Sequence, residues 1–276
     1  SSIDANIGKL KNYGWEFTIS GTPILTKDWT WKLSVNATTY KNEIVELPTD
    51  VMWNGSKKWV KGGSLYDYWM YEWAGVNPET GAPQWYKTQE DGSRVPTSDY
   101  SSLNSNDKVK LGSSLPTLTG GFQSDLTWKN VSLSMLFSYA IGGKLYNNDY
   151  VMMMSTSGGN GSSLSEEMLE RWQKPGDITD VPKLSYNQTD YFTSGSSRWL
   201  VDRSFLRLKT VTLSYTLPKK WIHVASLKEA SVFLQGENLL TFSHQQGLDP
   251  EQPISGSVSF RYPAMKTFSF GINVTL

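Results

Sequence analysis

The sequence predicts an all-β protein: an antiparallel segment of a transmembrane β-barrel, with about seven long strands, long loops at one end and one short helix. Three observations predict this class. Apolar and polar residues alternate along seven stretches, short and long connections alternate between them, and tryptophans lie near strand ends. The last stretch, Tyr262–Leu276, is the clearest, because its even-numbered residues form a largely apolar face and its odd-numbered residues a small, polar one. It is long enough to cross a tilted bilayer, which takes roughly 9–11 residues.

Composition excludes several classes of function. The 276 residues carry 26 basic and 26 acidic side chains, and this neutral balance argues against a nucleic-acid-binding protein. Cysteine is absent, which removes disulfides, zinc–thiolate sites and a cysteine nucleophile. No window approaches the roughly 20 apolar residues of a membrane-spanning helix, but an alternating barrel strand would not produce one. Ser1–Asp4 lacks the features of a signal peptide, so we expect either a cytoplasmic protein or a chain whose front lies outside this sequence.

The first two strands are predicted to form a hairpin. Asn12–Gly21 and Trp29–Tyr40 alternate between apolar and polar residues, and a short turn at 22–28 separates them. Residues 41–116 lose the alternation and are rich in Gly, Pro, Ser, Asp and Asn, which indicates a long connection. It holds two aromatic clusters that we expect to form short strands, Tyr66–Trp73 and Gln84–Tyr86.

The next two strands are predicted at Leu118–Trp128 and Val131–Ile141, with Lys129–Asn130 as a two-residue turn between them. The second of these has the most regular alternation in the middle of the chain, and Leu136 is its one exception. A face of Val, Leu, Met, Phe, Tyr and Ile therefore lies opposite a face of Ser and Ala.

A second long connection, 142–204, contains the one helix that the sequence predicts, Leu164–Trp172. Ser163 and Glu166 have the spacing of a capping box, and apolar residues recur at helical intervals after them. Pro175-Gly176 should end this helix, because proline cannot continue it.

The last third of the chain alternates again. Phe205–Leu217 is predicted as a strand, and a shift in its apolar phase indicates a β-bulge near Lys209-Thr210. A modest connection at 218–227 leads to a strand at Ala230–Asn238. A third long connection, 239–261, precedes the final strand.

The lengths of the connections favour a membrane barrel over a soluble sandwich. In an up-and-down sheet, alternate connections lie at the same end, so all short turns should be at one end and all long loops at the other. Outer-membrane barrels have this asymmetry, with short periplasmic turns and long extracellular loops. Trp29, Trp31 and Trp128 lie beside the short turns on the apolar phase, where an interfacial aromatic girdle belongs.

The number of strands predicts that the chain is part of a larger barrel. A sheet of about seven strands has two edges with unpaired backbone groups, and a bilayer does not tolerate them. We therefore expect this chain, residues 1–276, to be the C-terminal part of one outer-membrane β-barrel domain. Earlier strands from outside the sequence would complete it.

Five segments resemble motifs of the SusC-like TonB-dependent outer-membrane transporters of Bacteroidetes, the SusC/RagA family. One is similar to the family pattern RW-x-x-PGD-x-TD-x-P, and another to S-[YF]-LRLK-x-[IV]-TL-x-Y-x-LP. The others resemble the patterns NIG-x-x-x-N-x-G-x-E and G-x-NL-x-T followed by GLDPE, and the family's closing strand. The five segments are, respectively, Arg171–Pro182, Ser204–Pro218, Asn6–Glu16, Gly236–Phe242 with Gly247–Glu251, and Tyr262–Asn273.

The resemblance implies a fold, a function and partners. The fold that the resemblance implies is a barrel of ~22 strands with a plugged lumen. The plug, the region that contacts TonB and the first strands precede the part that this chain resembles. A SusD-like surface lipoprotein covers such a barrel, and TonB supplies energy for the import of oligosaccharides or peptides. The implied protein is an outer-membrane nutrient importer surrounded by lipid, with no chemistry of its own.

Two features depart from the family. Many members carry a calcium-loop-like stretch in the first long loop, but Thr88–Val95 keeps only its Asp-Gly pair, and EF-type loops need several oxygen ligands at set positions. We therefore expect a surface turn and no metal there. Outer-membrane barrels often end in Phe, whereas this chain ends in Leu276, which is apolar and in phase.

No group of residues predicts an enzyme or a cofactor. His223 and His244 are the two histidines, and a triad around His244 and Asp249 would need a third partner placed by the fold. Glu166 and Glu167 are adjacent on the predicted helix and face different directions, so they are not an acid–base pair.

Aromatic residues of the long loops are the candidate binding residues. Flat rings can contact substrate, but they can equally pack the loops together or contact a lipoprotein lid, and rigid aromatics are enriched in protein interfaces. Packing or lid contact is the interpretation that the sequence favours. The candidates for substrate or lid contact are Trp53, Trp59, Tyr68, Trp69, Trp85, Tyr86, Trp172 and Trp199.

Two other functions remain open at this point. A soluble β-sandwich that binds glycans would share the alternation and the Trp-rich loops. A glycoside hydrolase would need two carboxylates about 5–9 Å apart, and nothing in the sequence predicts such a pair.

Overall fold

The computed structural model describes residues 8–156, 163–185, 191–223, 227–245, 247–258 and 261–276. Two short α-helices, α1 (Asn148–Met153) and α2 (Lys219–Ile222), lie in the connections. Within the described ranges, no helix is long and apolar enough to cross a membrane. The strands are, in chain order, β1 (Lys9–Leu25), β2 (Trp29–Glu46), β3 (Val51–Asn54), β4 (Lys57–Val60), β5 (Asp67–Met70), β6 (Trp73–Val76), β7 (Pro83–Thr88), β8 (Arg94–Thr97), β9 (Val109–Ser113), β10 (Leu118–Trp128), β11 (Val131–Ile141), β12 (Lys144–Asn147), β13 (Leu200–Asp202), β14 (Phe205–Thr216), β15 (Glu229–Ser243), β16 (Ser257–Val258) and β17 (Thr267–Thr275).

Seven long strands form one antiparallel sheet, here called the wall, in the order β1-β2-β10-β11-β14-β15-β17. Each strand pairs with the next long strand along the chain, so the wall is an up-and-down meander. The prediction of about seven long antiparallel strands is confirmed. β10 and β11 have the predicted bounds, and Trp128 pairs with Val131 across the predicted two-residue turn.

One face of the wall is apolar from edge to edge. Directly opposed residues of an antiparallel pair point to the same face, so the register aligns the apolar phase of every strand. One row across six strands consists of Trp31, Leu126, Leu133, Leu213, Leu234 and Phe270. Leu213 and Leu234 lie on inner strands, yet they are 49% and 53% exposed, so nothing in the described part of the chain covers this face.

The other face of the wall is polar. Ser134 Oγ donates a hydrogen bond of 2.5 Å to Asp125 Oδ1, and Leu136 is the exception that the sequence indicated. One polar row consists of Lys32, Asp125, Ser134, Thr212, Gln235 and Ser269. A single layer with one exposed apolar face and one polar face is a barrel wall. In the described residues no second sheet packs on the apolar face, as a sandwich would require.

The wall has two open edges. β1 and β17 each have one neighbour in the sheet, and the far sides of both strands are unpaired in the part of the chain that the structure describes. Phe270, on the apolar face of β17, is 71% exposed. This is the arrangement that the strand count predicted.

Tryptophans lie at the short-connection end of the apolar face. Trp29 and Trp128 pair across β2 and β10, and their rings stack with centroids 5.7 Å apart. Trp31 Nε1 donates a 3.0 Å hydrogen bond to Ser124 Oγ, which satisfies a hydroxyl on the apolar phase. Rings with one polar atom suit a membrane–water boundary, so the positions fit the predicted girdle.

Four strands have ends that differ from the prediction by more than one residue. β1 (Lys9–Leu25) and β2 (Trp29–Glu46) extend beyond the predicted Asn12–Gly21 and Trp29–Tyr40. The final strand begins at Thr267 and not at Tyr262, because the pairing between β15 and β17 stops at Glu237 and Thr267. β15 itself continues to Ser243 and not only to Asn238, since its upper part pairs with β14. Residues 262–266 do alternate between the two faces, but a segment forms a strand only where a neighbouring strand pairs with it.

The predicted β-bulge is confirmed. The register between β14 and β15 shifts between Leu208 and Thr210, which leaves Lys209 without a paired residue. Asn238 takes the left-handed conformation at the same level, with φ of 53°. The bulge returns Leu208 and Val211 to one face although they are three positions apart, an odd spacing that would otherwise put them on opposite faces.

The predicted helix is shorter and of another type. Residues Glu166–Glu170 form a 3-10 helix, and its N-cap is Ser165, whose hydroxyl accepts from the Glu167 N–H at 3.4 Å. The capping box at Ser163 is therefore wrong. The α-helix of this connection is α1, which sequence periodicity did not predict because it is only six residues long.

Candidate functional site at the loop end of the wall

The three long connections pack together at one end of the wall. They comprise residues 47–117, 142–204 and 244–266, and together they are called the loop assembly here. β12 of the second connection pairs with β13 and also with β16 of the third, so one small sheet joins the two connections. A bridge between Tyr71 and Ser196 joins the first connection to the second. The long loops therefore share one end, as their lengths predicted.

Tyr68 joins the first connection to the third. Its hydroxyl donates a 2.6 Å hydrogen bond to the carbonyl of Gly256, and Ser114 Oγ donates to the Ile254 carbonyl at 2.8 Å. Gly256 has φ of 80°, and a Cβ there would collide with Tyr68 and Ser114. Only glycine fits this close approach of two loops.

A half-buried lysine, Lys57, lies beside Tyr68. Lys57 Nζ is 3.1 Å from the centroid of the Tyr68 ring and donates to the Tyr66 carbonyl at 2.7 Å. Burial lowers the pKa of Lys57 to about 7; Asp67 opposes this shift and Arg203 adds to it. Burial also raises the pKa of Tyr68 to about 12, so its hydroxyl remains a donor to Gly256 at every physiological pH.

Three of the eight candidate aromatics form the interior of the loop assembly. Tyr68 is 1% exposed, and Trp85 and Trp199 are fully buried. Trp199 packs on Phe192 with ring centroids 5.3 Å apart, and Trp85 meets Trp73 edge-on at 5.8 Å. These three rings hold loops together and have no surface for a ligand in this conformation.

The other five candidates lie at least partly at the surface. Trp172 Nε1 donates to the Pro78 carbonyl at 2.8 Å, and Trp59 Nε1 donates to the Leu65 carbonyl at 3.3 Å, so both also fix local loop structure. Tyr86 lies 5.5 Å from the Arg94 guanidinium. The remaining two, Trp53 and Trp69, share a face of the first connection and contact the same lysine, Lys58.

Arg207 fixes the third connection to the wall. It lies on the polar phase of β14 and is only 4% exposed. Its guanidinium donates to Asp249 Oδ1 at 2.5 Å and to Glu251 Oε2 at 2.7 Å, and its Nε donates to Thr241 Oγ1 at 3.0 Å. Lys209 adds a second cation to Glu251 at 2.7 Å.

These residues were not among the candidates, although the sequence carried a signal for them. The LRLK and GLDPE segments resemble family motifs, and they place cations and carboxylates that pair in the structure. Arg203 acts in the same way nearby, because it donates to the carbonyls of Ser114 and Gln252. Arg207 in β14 and Arg203, which lies just before that strand, therefore hold the third connection in place.

The stretch at Thr88–Val95 is the turn of the hairpin between β7 and β8. Asp91 Oδ1 accepts a 2.8 Å hydrogen bond from the Ser93 N–H, and the Gln89 N–H donates to the Ser93 carbonyl at 2.8 Å. Among the described residues, no group of three or more His, Cys, Asp or Glu side chains is arranged to hold a metal ion.

The Arg207 network predicts that the third connection loosens in acid. Burial of Asp249 favours its neutral form, but hydrogen bonds from Arg207, Ala264 and Glu251 outweigh burial and hold the pKa of Asp249 below its usual value. Because the pKa is lower in the folded protein, the carboxylate stabilises the fold above pH ~4 and less as pH falls through the folded pKa. Hydrogen exchange of residues 247–258, corrected for the intrinsic rate, should rise below pH ~4. Asp249→Asn should remove this pH step, and protection that is independent of pH would contradict the prediction.

Individual proteins match this chain over nearly its whole length, although no family model matches it. TonB-dependent receptor P3 of Formosa agariphila is 27% identical over 99% of this chain and 29% of its own length. TonB-dependent receptor SusC of Bacteroides thetaiotaomicron is 27% identical over 99% of this chain and 27% of its own.

Solved structures agree with the sequence matches. The RagAB peptide transporter superposes with a TM-score of 0.83 at 30% identity, over 98% of this chain and 30% of the other. The same importer in its closed-closed state gives a TM-score of 0.84. The chain thus spans about three tenths of the length of the relatives it matches. It is a relative of the SusC-like TonB-dependent receptors, and its wall is a seven-stranded segment of a barrel of that kind.

Proposed function

We propose that residues 1–276 are the C-terminal barrel-wall and loop part of a TonB-dependent nutrient importer in the bacterial outer membrane. The complete importer takes up oligosaccharides or peptides, with the loop assembly facing the cell exterior. A SusD-like lipoprotein covers that end, and TonB acts through a plug region that lies outside this chain. The part described here supplies wall and loops and catalyses no reaction.

One observation carries the proposal: the wall is a single layer whose apolar face is exposed from edge to edge. At roughly 25 cal/mol per Å² of apolar area, leaving such a face in water is strongly unfavourable. Lipid removes that cost, and further strands beside β1 and β17 would pair their open edges. The alternation of short turns and packed long loops supports the same orientation in the membrane.

The loop assembly supports a role at the entrance of the barrel. Its buried rings make it a defined layer, and its partly exposed candidates are placed to contact either a substrate or the lid. We assign this contact role to Trp53, Trp59, Trp69, Tyr86 and Trp172, whereas Tyr68, Trp85 and Trp199 maintain the layer from inside.

The chain produced alone should not fold as a soluble monomer. Residues 1–276 expressed without other strands are expected in inclusion bodies, because the apolar face and both edges lack partners. The same residues produced within the complete barrel should enter the outer membrane and show heat-modifiable migration. A monomeric chain that unfolds cooperatively in water without detergent would contradict the proposal. Uptake of labelled peptides or oligosaccharides by cells with the complete barrel, and its loss without TonB, would test the transport role.

A further inference from the structure

The three short connections give one end of the wall an excess of positive charge. They comprise residues 26–28, 129–130 and 217–228, and they contain five lysines and a single acidic residue, Asp28. Glu229, at the start of β15, reduces this excess without removing it. In the three long connections, by contrast, acidic residues outnumber basic ones. The five lysines, all of them exposed and none in a salt bridge within the described ranges, are Lys27, Lys129, Lys219, Lys220 and Lys228.

The two tight turns of this end are neighbours. The Lys129 N–H donates a 2.8 Å hydrogen bond to the Asp28 carbonyl, which joins the turn between β10 and β11 to the turn between β1 and β2. Hydrogen bonds between Thr26 and Trp29 close the second of these turns. Lys27 and Lys129 therefore project from adjacent turns whose backbones are fixed.

These turns border the apolar face of the wall. Trp29 and Trp128, which stack on each other, are 42% and 46% exposed on that face. Lys129 follows Trp128 directly, and its Nζ lies 5.6 Å from the centroid of the Trp128 ring. The ammonium group thus lies beside the aromatic rim of the apolar face. The last row of that face consists of Trp29, Trp128, Val131, Tyr215, Val232 and Ile272.

Lys129 occupies a backbone position that disfavours lysine. It is the first residue of a two-residue hairpin turn and has φ of 51°, in the left-handed region. Glycine, asparagine and aspartate are preferred at such positions, because a β-carbon is crowded there. Asn130, which would suit that position, comes one residue later. A residue held in a disfavoured conformation is a candidate for a function of its side chain.

The surroundings of Lys27 and Lys129 favour a lipid headgroup over a soluble anion. A soluble anion would contact the ammonium groups and leave the rings of Trp29 and Trp128 uncovered. A phospholipid satisfies both, because its phosphate contacts the lysines and its acyl chains cover the rings and the apolar rows beyond them. Tryptophan and lysine are the residues that membrane proteins place at the headgroup level. The excess of lysine favours headgroups with a net negative charge.

We propose that Lys27 and Lys129, with the rings of Trp29 and Trp128, bind the phosphate of an anionic phospholipid at the short-connection end of the wall. This inference rests on the proposed location in the outer membrane and adds a lipid partner to it. The ammonium groups donate to the phosphate, and the acyl chains lie along the apolar face. The complete importer therefore binds anionic phospholipids more tightly than zwitterionic ones.

The test is lipid binding by the complete barrel in detergent, measured as displacement of a phosphatidylglycerol that is fluorescent in its acyl chain. Unlabelled phosphatidylglycerol should compete about 25-fold better than phosphatidylcholine with the same acyl chains, since each lysine near an anionic headgroup contributes a factor of about five. Lys129→Asn should weaken phosphatidylglycerol binding about fivefold and leave phosphatidylcholine unchanged. The double variant Lys27→Gln/Lys129→Asn should remove most of the preference, which should also shrink at high salt.

Two controls separate the loss of a lipid contact from a loss of structure. Asparagine suits the left-handed position, so the urea midpoint of Lys129→Asn should equal or exceed that of the unaltered barrel. Lys61→Gln changes an exposed lysine of the loop assembly, at the other end of the wall, and should keep the full preference for phosphatidylglycerol.

The outcomes distinguish this inference from the importer function. Equal binding of the two lipids by a barrel that inserts and imports would overturn the inference and leave the importer function intact. A preference that persists in the double variant would also overturn it. So would displacement by glycerol 3-phosphate as effective as that by phosphatidylglycerol, since the rings and the apolar face would then play no part. A complete protein that does not enter the outer membrane would overturn the proposed function as well.

Discussion

Replacing Arg207 with Met is expected to release the third connection from the wall at a cost of about 3 kcal/mol. The substitution keeps an apolar stem of similar length but leaves Asp249 and Glu251 without their guanidinium partner. Removing one partner of a buried pair costs about 3–5 kcal/mol, because the remaining charge is uncompensated. The lower end applies here, since Glu251 is 40% exposed and keeps its contact with Lys209.

The effect should be confined to the loop assembly. Arg207 lies in β14, which pairs along its length with β11 and β15, so the wall itself should keep its strands. Hydrogen exchange at Glu251 and Ala264, whose N–H groups donate to Asp249, reports on the network directly. In the complete barrel, Arg207→Met should accelerate exchange at both amides and leave β11 unchanged.

Two controls identify the cause of this loss. The double variant Arg207→Met/Asp249→Asn also removes the negative charge of Asp249, which Arg207→Met leaves without its partner. It should therefore recover part of the protection from hydrogen exchange that Arg207→Met loses. Lys9→Met breaks a pair in which both side chains are largely exposed, and it should cost less than about 1 kcal/mol. If Arg207→Met costs no more than Lys9→Met, the network does not hold the loop.

The wall was predictable because its determinants are local. β10 and β11 match their predicted bounds, since alternation defines each strand and Lys129-Asn130 separates them with a tight turn. The bulge at Lys209 was visible for the same reason: a break in alternation is a local signal. The face that points to lipid follows from the same pattern, and the register confirms that the apolar phases of adjacent strands align.

Strand ends were less predictable because they depend on a partner. Residues 262–266 alternate as well as the rest of the final strand, but β15 stops pairing with β17 at Glu237. Alternation shows which way side chains point and does not show whether a neighbouring strand is present. The same reasoning explains β15, whose upper half is a strand because Phe205–Leu208 lies beside it.

The loop assembly could not be resolved from sequence, because its contacts are between distant residues. Trp73 and Ser197, which lie 124 positions apart, are joined by a hydrogen bond of 2.9 Å from the Trp73 N–H to Ser197 Oγ. Composition identified the aromatic residues as important but could not separate the buried Trp85 and Trp199 from the exposed Trp53. That distinction requires the packing of three connections against one another.

Replacing Phe137 with Arg is expected to destabilise the complete barrel by about 2–4 kcal/mol in a bilayer. Phe137 is in the middle of β11 on the apolar face and stacks on Phe122 with ring centroids 4.4 Å apart. An arginine there loses the ring contact and must leave the hydrocarbon to solvate its charge. Phe270→Arg, on the same face of β17, should have a cost of similar size.

Ser134→Arg is the matched control, since it introduces the same side chain three residues away on the other face of the same strand. Ser134 lies opposite Asp125 and Thr212 on the polar phase, and Asp125 offers an arginine a carboxylate partner. The expected cost is well below that at Phe137. The measurement is reversible unfolding of the complete barrel in lipid vesicles, with urea midpoints compared at constant lipid composition.

The contrast between Phe137 and Ser134 is informative because it tests the environment and not the residue. In a soluble sheet that is covered by a second layer, an arginine at Phe137 would also be costly, but the cost would not depend on lipid. In the barrel wall, the penalty at Phe137 should grow as the acyl chains lengthen and the site lies deeper in hydrocarbon, because the cost of a lipid-facing arginine depends on depth. The value for Ser134→Arg should not change with chain length. Equal costs at the two positions, or a cost at Phe137 that is independent of the lipid, would place that face against protein and contradict the assignment of the apolar face to the membrane.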